Sequence, residues 1–361
     1  MLELSAGVPQ GSIIGPLLYI IFTNDLPESV HCHPPQDHPL PQVHLSVQDT
    51  PHHPYNVHCH SCGVICCFAD DSSYSFSSKD ADTINENLCN KYKTIADFMS
   101  CHELKLNSDK THLLVLRSDA AKRANSDFSV SLDTQSDIIN PSKSEKLLGG
   151  IIGQNLKFTE HIQDHEESML KILNNRLNAL KKVSYAASFK TRKMIANGII
   201  ISRMLYLIPL WSGCEKYLMN SLQIVQNKAA RVVTKCGKRT PVKTLLKQCG
   251  WMSVAQLSVY HSLLLAYKIL STRSPQYLYE KLCGNQITPY YKTRFVENQS
   301  QNRNITLGPD SQAEGDMARR SFKYRVTNQW NSLPVEIKQE ENVKKFKRKL
   351  RKWVSENIEL K

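Results

Sequence analysis

At 361 residues the chain is long enough for two or three domains with cores of their own. Its 46 lysines and arginines against 33 acidic residues give a net charge of +13, which points to a polyanionic partner through long-range attraction and counterion release. No apolar run approaches the roughly 20 residues that span a bilayer, the longest being Ile13 to Phe22, so no membrane is expected among the partners. The eleven cysteines are scattered with no signal peptide ahead of them, which argues against a disulfide framework and for a cytoplasmic or nuclear location.

The first element in chain order is "GVPQGSIIGPLLYIIFTNDLP", Gly7 to Pro27. Gly11 lets the backbone approach a ligand closely, and Pro16 suits the first turn of a helix, where its missing N–H is not needed. The pattern predicts a glycine-rich loop opening a buried helix of about ten residues. A plain turn and core helix would explain the glycines but not Gln10, held between Pro9 and Gly11.

Glu28 to Cys62 differs in composition. Eight of the thirteen histidines and six prolines fall there, so an insertion or long loop is expected rather than a packed element. Its ends carry His31-Cys32-His33 and Cys59-His60-Ser61-Cys62, residue types that can hold zinc tetrahedrally. The pairs are far apart and irregular in order, so the reading here is a polar loop and not a zinc site.

Val64 to Ala69, Asp70-Asp71 and Ser73 to Ser77 read as strand, tight turn and strand, a β-hairpin with both carboxylates at its tip. Adjacent like charges repel, and burying either unpaired is costly, so the pair calls for a cation or a water-facing turn. Asp80 or Asp82 can cap the following helix, whose buried face is Ile84, Leu88, Ile95 and Met99. Lys105 to Asn107 and Thr111 to Leu116 are expected as short extended pieces around the turn Ser108-Asp109-Lys110. The fold class expected from this order is α+β.

Beyond the polar stretch after Asp119 comes "LLGGIIGQNLKFTEHI", Leu147 to Ile162. Helices are then predicted over Glu166 to Val183, Thr191 to Leu207, Glu215 to Val233 and Val254 to Ser271. Asn285 to Met317 is poor in apolar residues and reads as a linker. The C-terminal helix is basic, with Lys344, Lys345, Lys347, Arg348, Lys349, Arg351 and Lys352. Val343, Phe346, Leu350 and Trp353 recur at helical spacing, so its apolar side is expected to pack on the preceding helices.

Taken in order, "GVPQGSIIGPLLYIIFTNDLP", "CCFADD", "LKLNSDKTHLLVL", "LLGGIIGQNLKFTEHI" and "WNSLP" (Trp330 to Pro334) resemble the later motifs of reverse transcriptases, in particular those of non-LTR, LINE-type, jockey-like retrotransposons. The resemblance implies a partial right-hand polymerase. Residues 1–27 and 64–150 would be palm, interrupted by an insertion at 28–63, with a helical thumb at 151–283, a linker at 284–320 and a basic C-terminal region at 321–361.

The same resemblance implies two-metal nucleotidyl transfer with Mg²⁺, Asp70 being the first-choice ligand and Asp71 a neighbour or second ligand. Gly7, Gln10 and Gly11 would lie beside template and incoming nucleotide. Lys110 would stand near the pyrophosphate, and Leu148, Gly149 and Gly150 would support the primer end. RNA template, DNA primer or target, and deoxynucleoside triphosphates would be the partners.

The family's first palm aspartate has no counterpart in the sequence. Asp97, the nearest candidate, falls within the helix after the hairpin and points elsewhere. Two-metal catalysis needs carboxylates from more than one strand, so the chain by itself is expected to be inactive. A non-catalytic nucleic-acid-binding remnant and a decayed gene fragment remain as alternatives.

Overall fold

The computed structural model describes residues 19–21, 23, 25–29, 63–104, 106–124, 128–134, 137–283, 307 and 315–358. The loop with Gly7, Gln10 and Gly11, the histidine- and cysteine-rich segment and most of the expected linker lie outside the described residues. The chain divides into two compact units, residues 1–115 with 122–142, and residues 116–121 with 143–361. Both follow from the same class of architecture: mostly helical, with two-stranded antiparallel sheets, which is α+β.

In the first unit, strand β1 (Val64–Phe68) pairs antiparallel with β2 (Asp71–Ser75), Ile65 opposite Tyr74 and Phe68 opposite Asp71. Strand alternation sends Ile65, Cys67 and Tyr74 to one face, where they pack with Leu26 of the short helix α1 (Leu26–Ser29) and Met99 of α2 (Ala81–Cys101). Asp80 is the residue that caps α2. Its carboxylate accepts from the Thr83 N–H at 2.8 Å and the Thr83 hydroxyl at 2.6 Å, satisfying an amide that helix geometry leaves without a partner.

Helix α2 is shared between two clusters. Its C-terminal half, with Ile95, Phe98 and Met99, faces the hairpin. Its N-terminal half, with Ile84, Leu88 and Tyr92, packs against Leu113, Val130 and Leu132. Leu132 belongs to a small hairpin of β3 (Leu132–Asp133) and β4 (Ile138–Ile139).

The extended pieces expected around Ser108 are not a strand pair. Ser108–Lys110 is a single 3₁₀ turn, and Leu113 makes only an isolated bridge to Pro141. Proline has no N–H to continue a ladder, so the contact ends with Ser142 donating from its backbone and its hydroxyl to the Leu113 carbonyl.

The second unit begins with a hairpin of β5 (Ser144–Leu147) and β6 (Gly150–Gly153) and is otherwise helical. Helices α3 (Met169–Val183), α4 (Phe189–Ala196), α5 (Ser202–Leu205) and α6 (Ile208–Trp211) follow. Then come α7 (Lys216–Thr234), α8 (Val242–Cys249), α9 (Val254–Thr272) and α10 (Gln276–Cys283). The helix predicted over Thr191 to Leu207 is interrupted by a π turn at Asn197–Ile201. Gly198 and the Ser202 hydroxyl, bonded back to the Gly198 carbonyl, mark where the backbone widens.

Helix α9 is apolar on nearly all sides and therefore central. Val254, Leu263, Ala266, Tyr267 and Ile269 are all buried. A reciprocal cap holds its start, the Ser253 hydroxyl accepting from the Gln256 N–H while the Gln256 side chain accepts from the Ser253 N–H.

Around α9 pack α6, α7, α12 (Phe322–Asn331) and α14 (Val343–Asn357), with α11 (Asp316–Arg320) and α13 (Val335–Lys338) as connecting turns. Phe346 of α14 stacks on Tyr267 with ring centroids 3.8 Å apart. The Tyr267 hydroxyl donates to the carbonyls of Glu340 and Glu341.

The buried stripe of α14 is Phe346, Leu350 and Val354, with Trp353 half-buried and Val343 exposed. The expected stripe is thus shifted by one turn, because strict spacing of four from Phe346 reaches Val354. Leu307, inside the stretch read as linker, is fully buried. Its N–H donates to the Asn331 side-chain oxygen, and the Asn331 amide donates to its carbonyl. Among the described residues no helix is long and apolar enough to cross a membrane.

Candidate functional site

The turn between β1 and β2 consists of Ala69 and Asp70, with Ala69 in the left-handed region at φ +51°. Asp70 and Asp71 are both exposed. Asp71 opens β2 opposite Phe68, on the face turned away from Ile65 and Tyr74, and Phe68 itself is 65% exposed. The hairpin is therefore anchored by one face in the core and presents its carboxylate-bearing tip to water. That resolves the repulsion between adjacent carboxylates without burying either.

Tyr19 is a neighbour that the sequence did not single out. Burial raises its phenol pKa above the usual value, and the negative charge of Asp70, then Cys67, adds to the effect. The phenol thus shares the field of the tip. The only sequence signal is its place in "GPLLYIIF", three residues after Pro16.

The donor set at the tip is two water-facing carboxylates, hard oxygens that suit a cation such as Mg²⁺, which keeps much of its hydration. Among the described residues no group of three His, Cys, Asp or Glu side chains gathers to hold a metal. Asp97 lies exposed within α2. Lys110 ends the 3₁₀ turn of the same unit and is exposed. The turn is closed by Lys110 N–H to Asn107 carbonyl and Thr111 N–H to Ser108 carbonyl.

Leu148, Gly149 and Gly150 belong to the second unit. Leu148 and Gly149 form the two-residue loop between β5 and β6, with φ +47° and +76°, the pairing of positive angles that matches the twist of a tight hairpin. The Tyr206 hydroxyl donates to the Leu148 carbonyl at 2.5 Å. A Cβ on Gly149 would lie 3.4 Å from the Tyr206 ring, and one on Gly150 2.9 Å from Leu207. The two glycines let the loop sit closely on these side chains while Leu147 and Leu148 stay 40% exposed.

Beneath the loop, His161 is buried and accepts from the Ile151 N–H on Nδ1. Burial first, and the Arg203 charge second, push its pKa down to about 4, so it is neutral at neutral pH. Arg203 also lies 5.9 Å from the centre of the Tyr206 ring.

Charge is segregated along the chain in a way the overall composition hides. Residues 168–279 contain 18 lysines and arginines and a single acidic residue, Glu215, and the rest of the chain nets −4. More of the net positive charge therefore resides in residues 168–279 than in the C-terminal helix that first draws the eye. In that helix, Lys349 is paired with Glu340 at 2.7 Å, and Arg351 donates to the Gly250 carbonyl at 2.6 Å. Counting acidic residues in long windows would have revealed the pattern from sequence.

Residues 2–158 match the family model described as reverse transcriptase (RNA-dependent DNA polymerase). The chain is also similar to three Drosophila melanogaster proteins. One is the probable RNA-directed DNA polymerase from transposon BS, 24% identical over 64% of this chain and 22% of that protein. Another is the probable RNA-directed DNA polymerase from transposon X-element, 22% identical over 65% and 22%. The third is the RNA-directed DNA polymerase from mobile element jockey, 22% identical over 64% and 22%. The chain thus spans about a fifth of the length of the curated relatives it matches. No solved structure matches. The motif order, the hairpin and these relatives agree in making residues 2–158 similar to reverse transcriptases, and about two thirds of the chain similar to the RNA-directed DNA polymerases of these transposable elements.

Proposed function

We propose that the chain is part of an RNA-directed DNA polymerase, with the β1–β2 hairpin as its palm site and α3 to α10 as its thumb. The observation that carries this reading is the hairpin tip, with exposed Asp70 on the turn and exposed Asp71 opening β2, on a hairpin whose other face is fixed in a core. Asp70 and Asp71 would hold Mg²⁺. Two such ions would supply, one each, activation of the primer 3′-hydroxyl and neutralisation of the triphosphate and leaving group.

The protein's own contribution is placement. The turn presents Asp70 beside Tyr19, and β2 fixes the direction of Asp71. Lys110 donates a proton toward the departing pyrophosphate. Gly7, Gln10 and Gly11 lie against template and incoming base, where an uncharged amide hydrogen-bonds without competing for the metal. Leu148, Gly149 and Gly150 support the primer terminus. The cations of α3 to α10 hold backbone phosphates of the RNA template and DNA primer without reading sequence.

The test is Mg²⁺-dependent primer extension on an RNA template, using this sequence within a chain extended to the length of its relatives. Asp70→Ala should abolish extension while leaving template binding intact. Extension that survives Asp70→Ala removes the site assignment. A second reading, nucleic-acid binding without catalysis, is favoured by the charge of residues 168–279 alone. It predicts salt-dependent binding whatever happens at Asp70.

A further inference from the structure

Among the described residues of the second unit the most exposed large hydrophobic side chain is Tyr185, at 91%. It stands in the loop between α3 and α4, flanked by Val183 at the end of α3 and by Phe189 and Met194 of α4, all of them exposed. Lys181, Lys182 and Lys190 are close to it in sequence and are exposed too. The loop is not loose. Arg192, buried to 6% exposure, donates through one guanidinium nitrogen to the Ala187 carbonyl and through Nε to the Val233 carbonyl at the end of α7. The Ser188 hydroxyl caps α4 by accepting from the Thr191 N–H.

That buried guanidinium fastens the α3–α4 loop to the C-terminal end of α7. The chain leaving α7 there carries Lys235, Lys238 and Arg239, all exposed. Two aromatic rings and two sets of cations are thus held at one end of the unit, with no acidic residue in either loop. A solvated loop tip accounts for the lysines but not for an almost fully exposed tyrosine held in place by a buried arginine.

We propose that the α3–α4 and α7–α8 loops form a platform for single-stranded nucleic acid. Tyr185 and Phe189 stack on bases, and Lys182, Lys190, Lys235 and Lys238 bind the flanking phosphates. The inference rests on the proposed nucleic-acid partner of this unit and adds the strandedness and the residues. Single strands are the fitting occupant because their bases offer open faces to an aromatic ring, whereas a duplex has already stacked its own. Pre-fastening by Arg192 reduces the ordering that binding must supply.

The test uses the full chain and fluorescein-labelled oligothymidylate, oligouridylate and a DNA duplex, with binding read by fluorescence anisotropy over a salt series. Tyr185→Ala should weaken single-strand binding by about 5- to 150-fold, the range for losing one base stack. It should leave the slope of affinity against salt and the duplex affinity unchanged, and Tyr185→Trp should restore binding. Lys182→Ala and Lys238→Ala should instead each flatten the single-strand salt slope by about 0.7.

Tyr185 is so exposed that its truncation leaves the fold intact, which the unfolding midpoint verifies. Unchanged single-strand affinity in Tyr185→Ala overturns the platform. So does a chain that binds duplex alone or binds no nucleic acid, or light scattering showing that Tyr185 is covered by a second copy. None of these results depends on Asp70, so loss of the polymerase reading and loss of the platform are separate outcomes.

Discussion

Phe346→Ala is the most informative single perturbation of the second unit, because it asks whether α14 is a detachable basic tail or part of the core. The ring is fully buried and stacks on Tyr267 at 3.8 Å with planes 18° apart. Truncating a buried phenylalanine costs about 3–5 kcal/mol through lost transfer energy and the cavity left behind. About 0.5–1.5 kcal/mol of that is the stacking beyond simple burial.

For a unit of this size a urea dependence of ~3 kcal/mol per molar is expected, so the midpoint should fall by about 1–1.7 M. Far-UV circular dichroism follows it directly, since the helical signal comes mainly from this unit. Val343→Ala, at an exposed position of the same helix, should stay within about 0.5 kcal/mol. An unchanged midpoint in Phe346→Ala would show that α14 does not contribute to the core and refute the argument.

Other outcomes follow from single contacts. Gly213→Ala should lower the melting temperature by about 5 °C, since its Cβ would overlap the Arg320 backbone carbonyl and crowd Arg325 at 3.2 Å, a clash worth roughly 1–3 kcal/mol. For His161 the folded pKa of about 4 lies below the ordinary unfolded value near 6.5. The folded state then binds the proton less readily than the unfolded chain. The stability this group contributes is complete above pH 6.5 and should fall by about 2 kcal/mol between pH 7.5 and 5. Urea titrations across that window should show the loss, and His161→Asn, which does not titrate, should flatten it. At the hairpin, Mn²⁺ added in place of Mg²⁺ should broaden the amide resonances of Ala69 to Ser72. The double variant Asp70→Asn and Asp71→Asn should remove the effect, and broadening centred elsewhere would argue against the tip as the metal site.

Local signals were readable where one short stretch decides the outcome. The alternation of Ile65 and Cys67 against Tyr74, broken by two carboxylates, was enough to place a hairpin with its tip at Asp70. The start of α2 was readable as Asp80 or Asp82, of which the structure uses Asp80, and the long helices of the second unit lie within a few residues of their predicted ends. The turn at Ser108–Lys110 is flanked by extended Asn107 and Thr111 as expected, but these pieces do not become strands, since a strand needs a partner and Leu113 finds only Pro141.

What the sequence determined by itself was the β1–β2 hairpin, the long helices and the order of the motifs, because each depends on residues within a turn or two of one another. Tertiary structure decided the rest. It placed Tyr19 in the field of Asp70, Tyr206 beneath the Leu148–Gly149 loop, and Arg192 between two loops 41 residues apart at its Val233 contact. It also chose Tyr267 as the partner of Phe346 on the C-terminal helix, whose packing side the sequence had only outlined. Those facts depend on partners brought together by burial of apolar faces, and no window of local sequence contains both members of such a pair.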